Sequence, residues 1–321
     1  MNKKYEMTTI VIHIWGKNLY RIKALKSFGD VKAGDLGGYI EDEDNLSQDG
    51  NSWIYDNARV YENARVFGNA SIHDNVEVLR SAKVFENAKV SGKSMIYGSA
   101  KVHGNASIYG DTKVCGNAEV FGDAKVSDCA IVCDMAMVHG NAMIYGNSWI
   151  YGNARVSDNA SIYGDAKVYD DSSIYDNAKV FDNAEVIGNA SIYGDAKVYG
   201  NSWISSNAKV YENAEVFGKA EVFRDAKIHG NAIIFGKACV GGSAEIFDHT
   251  LVYDVRLVRI SMNSSKYTRG KARTRELAIQ LQADLSESSI SYAELAEIQN
   301  KLRKLGTQYG LIREFKENGL I

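Results

Sequence analysis

The sequence predicts an all-β solenoid, a left-handed parallel β-helix wound from hexapeptide repeats. Three observations predict it. From residue 51 to residue 254 the chain reads as 34 consecutive hexads without an insertion or a deletion. The fourth slot of every hexad is Val or Ile, and the second slot is Ala in 26 of the 34. The chain holds 29 Gly and no Pro, as expected where ladder hydrogen bonds need the backbone N–H groups.

Each slot of the hexad has a structural meaning. Because side chains alternate across a strand, slots two and four share the inward face and slots three and five point outward. Slots six and one hold mostly Gly, Asp, Glu or Asn, which are residues that build corners. A short strand and a corner in every hexad make a triangular coil, so the repeats predict about 11 coils and a rod of about 54 Å. Pentapeptide helices and right-handed β-helices do not have this period.

The residues before the repeats predict a cap. Residues 1–36 alternate around Gly16-Lys17-Asn18 and predict a β-hairpin that covers the open end of the solenoid. The β-helix is predicted over residues 37–255, with its first coil beginning near Gly37. The stretch 43–50 carries two extra residues before the strict register starts.

The residues after the repeats predict a different unit. Residues 256–271 predict a basic linker, and residues 272–321 predict a small C-terminal α-helical module docked on the last coils. Its first helix is predicted over 272–286. A capping box at Ser291 and Glu294 opens the second helix, which is predicted to stop at Gly306. The third helix carries Leu311, Ile312 and Phe315 and ends at Asn318-Gly319.

Residues 30–60 carry a family resemblance. They read DVKAGDLGGYIEDEDNLSQDGNSWIYDNARV, which resembles the opening segment of the YdcK-like hexapeptide-repeat proteins, and similar chains occur in phages and prophages. The resemblance covers about residues 20–254 and is specific in the DVKAG-x-x-GG-x-[IV] stretch. It implies the fold of the hexapeptide acyltransferases, which are typically trimers that bind an acyl carrier between neighbouring β-helices and use a histidine base. The fold alone implies no activity, and the C-terminal module resembles no family.

The acyltransferase alternative, with acetyl-CoA as cofactor, finds little support in the residues. No loop leaves the predicted coil between residues 51 and 254. The candidate bases His103, His139 and His229 all occupy slot five, which otherwise holds mostly Tyr or Phe. We therefore interpret them first as members of outward aromatic ladders, and no catalytic residue is predicted from the sequence.

Other chemical signals are sparse. The chain has no P-loop, no GxGxxG after a strand and no HExxH, and no metal site is predicted. Cys115 and Cys133 occupy slot five one coil apart and are expected to be stacked neighbours, with Cys129 at the adjoining corner. A soft-metal or redox site there is an alternative to the favoured interpretation, small residues in an apolar patch. The cysteines fit no disulfide framework and the N-terminus resembles no signal peptide, so a cytoplasmic protein without membrane contact is expected.

Slot three loses its charges at the middle of the rod. Four successive hexads place apolar residues there, and ring-bearing residues lie beside them in slot five, so that an uncharged belt is expected around the rod. We interpret the belt as an interface for self-association, as in the trimers usual for β-helix proteins, or for a protein partner. The belt consists of Ile131, Met137, His139, Met143, Tyr145, Trp149 and Tyr151.

The C-terminal segment is basic. The net charge is −1 over residues 1–50, −7 over 51–255 and +5 over 256–321. Arg269, Lys271, Arg273 and Arg275 are candidate contacts to nucleic-acid phosphates. Because no aromatic residues interleave with these cations, a basic linker beside the acidic solenoid is the favoured interpretation. The leading functional prediction is therefore a non-catalytic scaffold or protein-interaction β-helix, related to phages or prophages. The acyltransferase and the nucleic-acid-binding protein remain alternatives.

Overall fold

A computed structural model describes residues 3–254, 256–257, 274–276, 278, 292–309 and 311–317. The first strands are β1 (Tyr5–Ile14), β2 (Lys17–Ala24) and β3 (Leu36–Ile40), followed by a 3₁₀ turn at Glu43–Asn45. Strands β4 to β37 then recur every six residues, from Trp53–Ile54 and Arg59–Val60 to Leu251–Tyr253. Each spans slots three and four of its hexad, except that Ile233–Phe235 and Leu251–Tyr253 are one residue longer. Strand β38 is Arg256–Leu257, and the helices are α1 (Tyr292–Tyr309) and α2 (Ile312–Glu317).

The strands form three flat sheets, which we call faces A, B and C. Face A contains 15 strands in the order β1-β2-β3-β5-β8 and onward to β38, face B contains 12 strands from β4 to β37, and face C contains 11 strands from β6 to β36. Within the repeats every strand pairs in parallel with the strand of the next coil, as Arg59 pairs with Glu77. The predicted left-handed parallel β-helix of hexapeptide repeats is confirmed, with about 12 turns rather than 11.

The interior contains the residues of slots two and four. Ala136 and Val138, for example, are both fully buried, as are nearly all their equivalents along the rod. Burying a Val or Ile side chain contributes about 1.5–3 kcal/mol. The coil is so narrow that only a small residue fits beside each branched one, which explains the alternation of Ala with Val or Ile.

Backbone hydrogen bonds between coils follow the same period. The N–H groups of slots one, three and five donate to the carbonyl oxygens of slots six, two and four in the next coil, as Ser71 donates to Ala88 at 3.0 Å and His73 to Val90 at 2.9 Å. Half of the positions in each hexad therefore need an N–H group. A proline at any of them would remove one bond of the ladder, which explains its absence from the repeats.

The corners explain the residues of slots six and one. Slot-six residues adopt the left-handed backbone region, with φ of 58° at Asp74 and 79° at Gly92. The Asp74 carboxylate also accepts the N–H of Gly92, 2.8 Å away in the next coil. In slot one, Asn side chains form amide ladders, as Asn69 donates to Asn87 at 3.0 Å. Asp, Gly and Asn therefore satisfy the backbone where the chain turns.

The N-terminal hairpin covers the first coil. Strand β1 pairs antiparallel with β2, and β2 with β3, while β3 pairs in parallel with the first repeat on face A. Tyr39 lies opposite Arg59, so this coil is two residues longer than the others, as predicted. Trp53, which lies in slot three, is only 1% exposed because Tyr5 and Phe28 cover it edge-on.

The end of the repeats departs from the sequence prediction in two places. Arg256–Leu257, which begins the predicted linker 256–271, forms a strand that pairs with Cys239–Val240 on face A. Helix α1 does not stop at Gly306 but runs through it to Tyr309. Gly306 lies against α2, where an added Cβ would approach Ile312 and Phe315 to 3.0 Å. It is therefore a close-packing residue rather than a helix terminator.

The remainder of the predicted C-terminal module is only partly described. Residues 274–276 and 278 are helical, within the helix predicted over 272–286. The end of the third helix predicted at Asn318-Gly319 lies outside the described residues. In the described part of the chain, none of the helices combines the length and the apolar character that crossing a bilayer requires.

Candidate functional site

The predicted belt is divided among the three faces. Ile131 and Trp149 are paired neighbours on face A. Met137 lies on face C between Glu119 and Arg155, and Met143 lies on face B between Lys125 and Ser161. His139 and Tyr145 follow these two methionines in slot five. A flat partner surface can therefore contact only part of the belt at one time.

Face A carries the largest part of the belt. Beside the Ile131–Trp149 pair, the ring of Tyr151 stacks on that of Tyr169 with centroids 4.6 Å apart. Trp149 is 47% exposed, and Met135, at the adjoining corner, is 56% exposed. We call Ile131, Cys133, Met135, Trp149 and Tyr151 the mid-rod patch. Met135 was missed in the sequence analysis because it occupies slot one, where only the corner geometry shows that it faces outward beside face A.

Cys133 of the mid-rod patch is one of a pair of neighbouring cysteines. Cys115 and Cys133 lie on adjacent coils with their Cα atoms 4.6 Å apart, as the repeat register predicted. Their sulfur atoms are joined in a disulfide, whereas the favoured expectation was small residues in an apolar patch and a soft-metal or redox site was the alternative. Cys129, at the corner before Ile131, is free and exposed. Among the described residues no group of three or more His, Cys, Asp and Glu side chains is arranged to hold a metal ion.

The candidate histidines are built into the slot-five ladder of face C. The His103 ring stacks between Phe85 and Phe121, with centroids 4.6 Å and 5.1 Å away. Its Nε2 lies 2.9 Å from a Glu119 oxygen, and its Nδ1 lies 3.6 Å from Glu86. Both ring nitrogens therefore face carboxylates of the protein itself rather than an open substrate site.

The two other candidate histidines have related surroundings. His229 stacks on Tyr211 at 4.7 Å and has Glu245 and Glu212 at 3.4 Å and 3.9 Å from its two nitrogens. His139 stacks on Phe121 at 4.8 Å. The structure brings none of the three into a cavity with a nucleophile or an oxyanion donor, as a general base would require.

Most of the candidate nucleic-acid contacts cannot be placed. Arg269, Lys271 and Arg273 lie outside the described residues. Arg275 binds the Glu314 carboxylate of α2 through Nε and Nη2, both at 2.9 Å. The side-chain hydrogen bonds that Arg275 donates to Glu314 raise the pKa of Arg275 above its usual range. This arginine is therefore part of the module's own packing.

The C-terminal module packs along the slot-five ladder of face B. Rings of four successive coils stack there with centroids about 5 Å apart, and apolar residues of both helices pack against them. These residues are Tyr199, Phe217, Phe235 and Tyr253 on the rod and Ala278, Leu302, Leu305, Leu311 and Phe315 in the module. The predicted docking on the last coils is therefore observed along the side of the rod.

One buried cation fixes the position of α1 on this ladder. The Lys301 ammonium lies 3.4 Å from the centroid of the Phe217 ring and 2.6 Å from a Glu215 oxygen. It also contacts the hydroxyl of Tyr199, which in turn donates to Glu297 at 2.5 Å. Burial, followed by the hydrogen bond to Glu297, raises the pKa of Tyr199 far above its usual range. No sequence pattern indicates this contact, because its partners are about 100 residues apart in the chain.

Comparisons with known proteins agree with the repeat. A family model described as the YdcK β-solenoid repeat matches residues 58–74 and 149–164. No curated protein matches the chain. A solved structure of UDP-N-acetylglucosamine acyltransferase from Arabidopsis is similar over 73% of this chain and 95% of that chain, with 16% identity and a TM-score of 0.37. A likeness this distant carries no information about activity. In its period, its fold and the matched repeats, this chain is similar to the YdcK-like hexapeptide-repeat proteins.

Proposed function

We propose that this chain is a non-catalytic scaffold, a rigid β-helix that binds a protein surface through the mid-rod patch. The observation that carries the proposal is the directly paired Ile131 and Trp149 on face A, with Trp149 47% exposed. Their neighbours along the face are the cations Lys113 and Lys167. An apolar centre with a charged rim is the usual composition of a protein interface.

We propose first that the mid-rod patch binds a second copy of the chain. Within the repeats face A consists of regular parallel strands, so its patch can pack against another rod without a change in the backbone. The family resemblance makes a homotrimer the expected assembly. A host or phage protein is the alternative occupant, and the relation to mobile elements remains a prediction that rests on the resemblance alone.

The regularity of the coil supports a binding role over catalysis. Between residues 51 and 254 every strand keeps its place in the six-residue period, and no loop leaves the rod to enclose a substrate. The histidines on which an acyltransferase would depend face carboxylates or stacked rings. For these reasons we do not propose acetyl-CoA as a cofactor. Binding of nucleic acid by the basic segment remains a separate hypothesis.

Light scattering on the full chain tests the proposal. We expect the wild type to have a mass that is a multiple of 35.3 kDa and Trp149→Glu to have the monomer mass. Trp203→Glu is the matched control, because Trp203 lies in the same slot of face A and is 40% exposed. Equal masses for the two variants would refute self-association through the patch. If the wild type is monomeric, capture of a host protein that Trp149→Glu abolishes supports the alternative occupant.

A further inference from the structure

A cleft of about 620 Å³ opens between face A and the tip of the N-terminal hairpin. Its floor is formed by the outward residues of three successive coils, Arg59, Glu77 and Met95. Tyr61 and Leu79 line one side. Trp15 projects from the turn between β1 and β2 over this floor. The volume lies in the range of small-molecule sites, about 300–1,000 Å³.

One bulky residue of the cleft has a backbone conformation that suits glycine. Trp15 has φ of 51° and is 88% exposed, so burial in the core does not hold it there. The φ of 62° at Arg80 is, by contrast, the ordinary conformation of a slot-six corner, which Arg224 shares. Strained positions outside the repeat concentrate at functional sites, and Trp15 borders the cleft.

The charges in the cleft favour an anionic ligand. The cleft has two carboxylates, and both already accept hydrogen bonds. Glu77 is bound by the Arg59 guanidinium at 2.8 Å and by the Tyr61 hydroxyl at 3.1 Å, and Glu62 accepts the backbone N–H of Arg80 at 2.8 Å. The side chains of Arg80 and Lys93, by contrast, have no carboxylate partner among the residues that the structure describes. Two side chains with positive charge are thus available on a solenoid whose net charge is −7 over residues 51–255.

We propose that this cleft binds a small aromatic anion of nucleotide size. The planar ring stacks on the exposed face of Trp15, above the apolar surface of Leu79 and Met95. The phosphate or carboxylate group binds Arg80 and Lys93. An indole ring and a guanidinium group are the side chains that most readily hold a flat ring and an oxyanion together. This site is separate from the mid-rod patch and does not depend on the proposed interface.

The repeat supplies matched controls for each part of the site. Trp203 is an exposed tryptophan in slot three of face A. Lys219 occupies the same slot as Lys93 seven coils farther along the same face, and Arg224 occupies the same slot as Arg80 eight coils farther along. Within the part of the chain that the structure describes, no hairpin covers those coils, so substitutions there change the charge of the protein equally without affecting the cleft.

Isothermal titration of the full chain with adenosine monophosphate tests the proposal. We expect binding to the wild type, weakened about ten-fold or more by Trp15→Ala and by the pair Arg80→Glu and Lys93→Glu. Trp203→Ala and the pair Lys219→Glu and Arg224→Glu are expected to bind as the wild type does. Adenosine and inorganic phosphate alone should each bind more weakly than the nucleotide.

Three results would overturn the proposal. The first is no binding of the nucleotide at millimolar concentration, and the second is an equal loss of affinity in the control variants. The third is binding of inorganic phosphate as tight as that of the nucleotide, which would remove the role of Trp15. Because Trp15 is 88% exposed, thermal unfolding of Trp15→Ala should match that of the wild type, and a loss of affinity then reports on the cleft itself.

Discussion

Replacing Lys301 with methionine should loosen the C-terminal module from the rod. Lys301 and Glu215 are 17% and 20% exposed, and their charged atoms are 2.6 Å apart. Breaking a buried ion pair costs about 3–5 kcal/mol. Here Lys197 remains 3.3 Å from Glu215, and a methionine keeps the apolar contact with Phe217. We therefore expect a loss of about 2 kcal/mol, a factor of about 30 in the docking equilibrium.

Hydrogen exchange measured by mass spectrometry reads out this change. The amides of α1 (Tyr292–Tyr309) should exchange about 30-fold faster in Lys301→Met, because local opening limits their exchange. The β-helix amides should be unaffected. Lys304→Met is the matched control, since Lys304 is exposed on the same helix. Equal exchange in the two variants, or faster exchange throughout the rod, would refute the reasoning.

Three further predictions concern the two ends of the rod. Gly37→Ala should lower the melting temperature, because an added Cβ would lie 2.6 Å from the Ile54 carbonyl oxygen and 2.7 Å from the Ile22 side chain. Overpacking of this kind costs about 1–3 kcal/mol of stability. An unchanged melting curve would contradict this prediction. Burial opposes ionisation of Glu215, yet Lys301 and Lys197 hold its pKa below the ordinary value of 4.5. Docking of the module should therefore be intact above pH 4.5 and weaken below it, which hydrogen exchange detects as faster exchange of the α1 amides. Glu215→Gln should lack this pH dependence. Burial lowers the pKa of Lys4 from 10.5 to about 8. Between these two pH values the unfolded chain binds more protons than the folded chain, so the stability of the cap should rise with pH. Chemical denaturation from pH 8 to pH 9.5 should show this rise in the wild type and not in Lys4→Met.

The fold was predictable because a six-residue period repeated 34 times determines it locally. Slots two and four specify an interior too narrow for other residues, and the corner slots specify the turns. The two extra residues before Asn51 were also visible as a break in the register. The end of α1 was not predictable, since Gly306 resembles a helix terminator in sequence and acts as a contact surface for α2 in the structure.

The candidate site was only partly predictable. Slot three identified Ile131 and Trp149, and the predicted triangular coil already placed Met137 and Met143 on the other two faces. Met135 was missed, because slot one is a corner position whose exposure the repeat pattern does not specify. The contact of Lys301 with Phe217 and the cleft beneath Trp15 arise where segments outside the repeat fold back onto it. Such contacts depend on the path of the chain beyond the repeats, for which a repeat pattern carries no information.

Hydroxyl-radical footprinting of the wild-type chain tests the proposed interface most directly. Trp149 and Trp203 share slot three of face A and have similar exposure in the single chain, 47% and 40%. If the mid-rod patch binds a second copy, Trp149 should be oxidised several-fold more slowly than Trp203, and dilution to the monomer should remove the difference. Equal oxidation of the two tryptophans in a sample shown to be oligomeric would contradict the account.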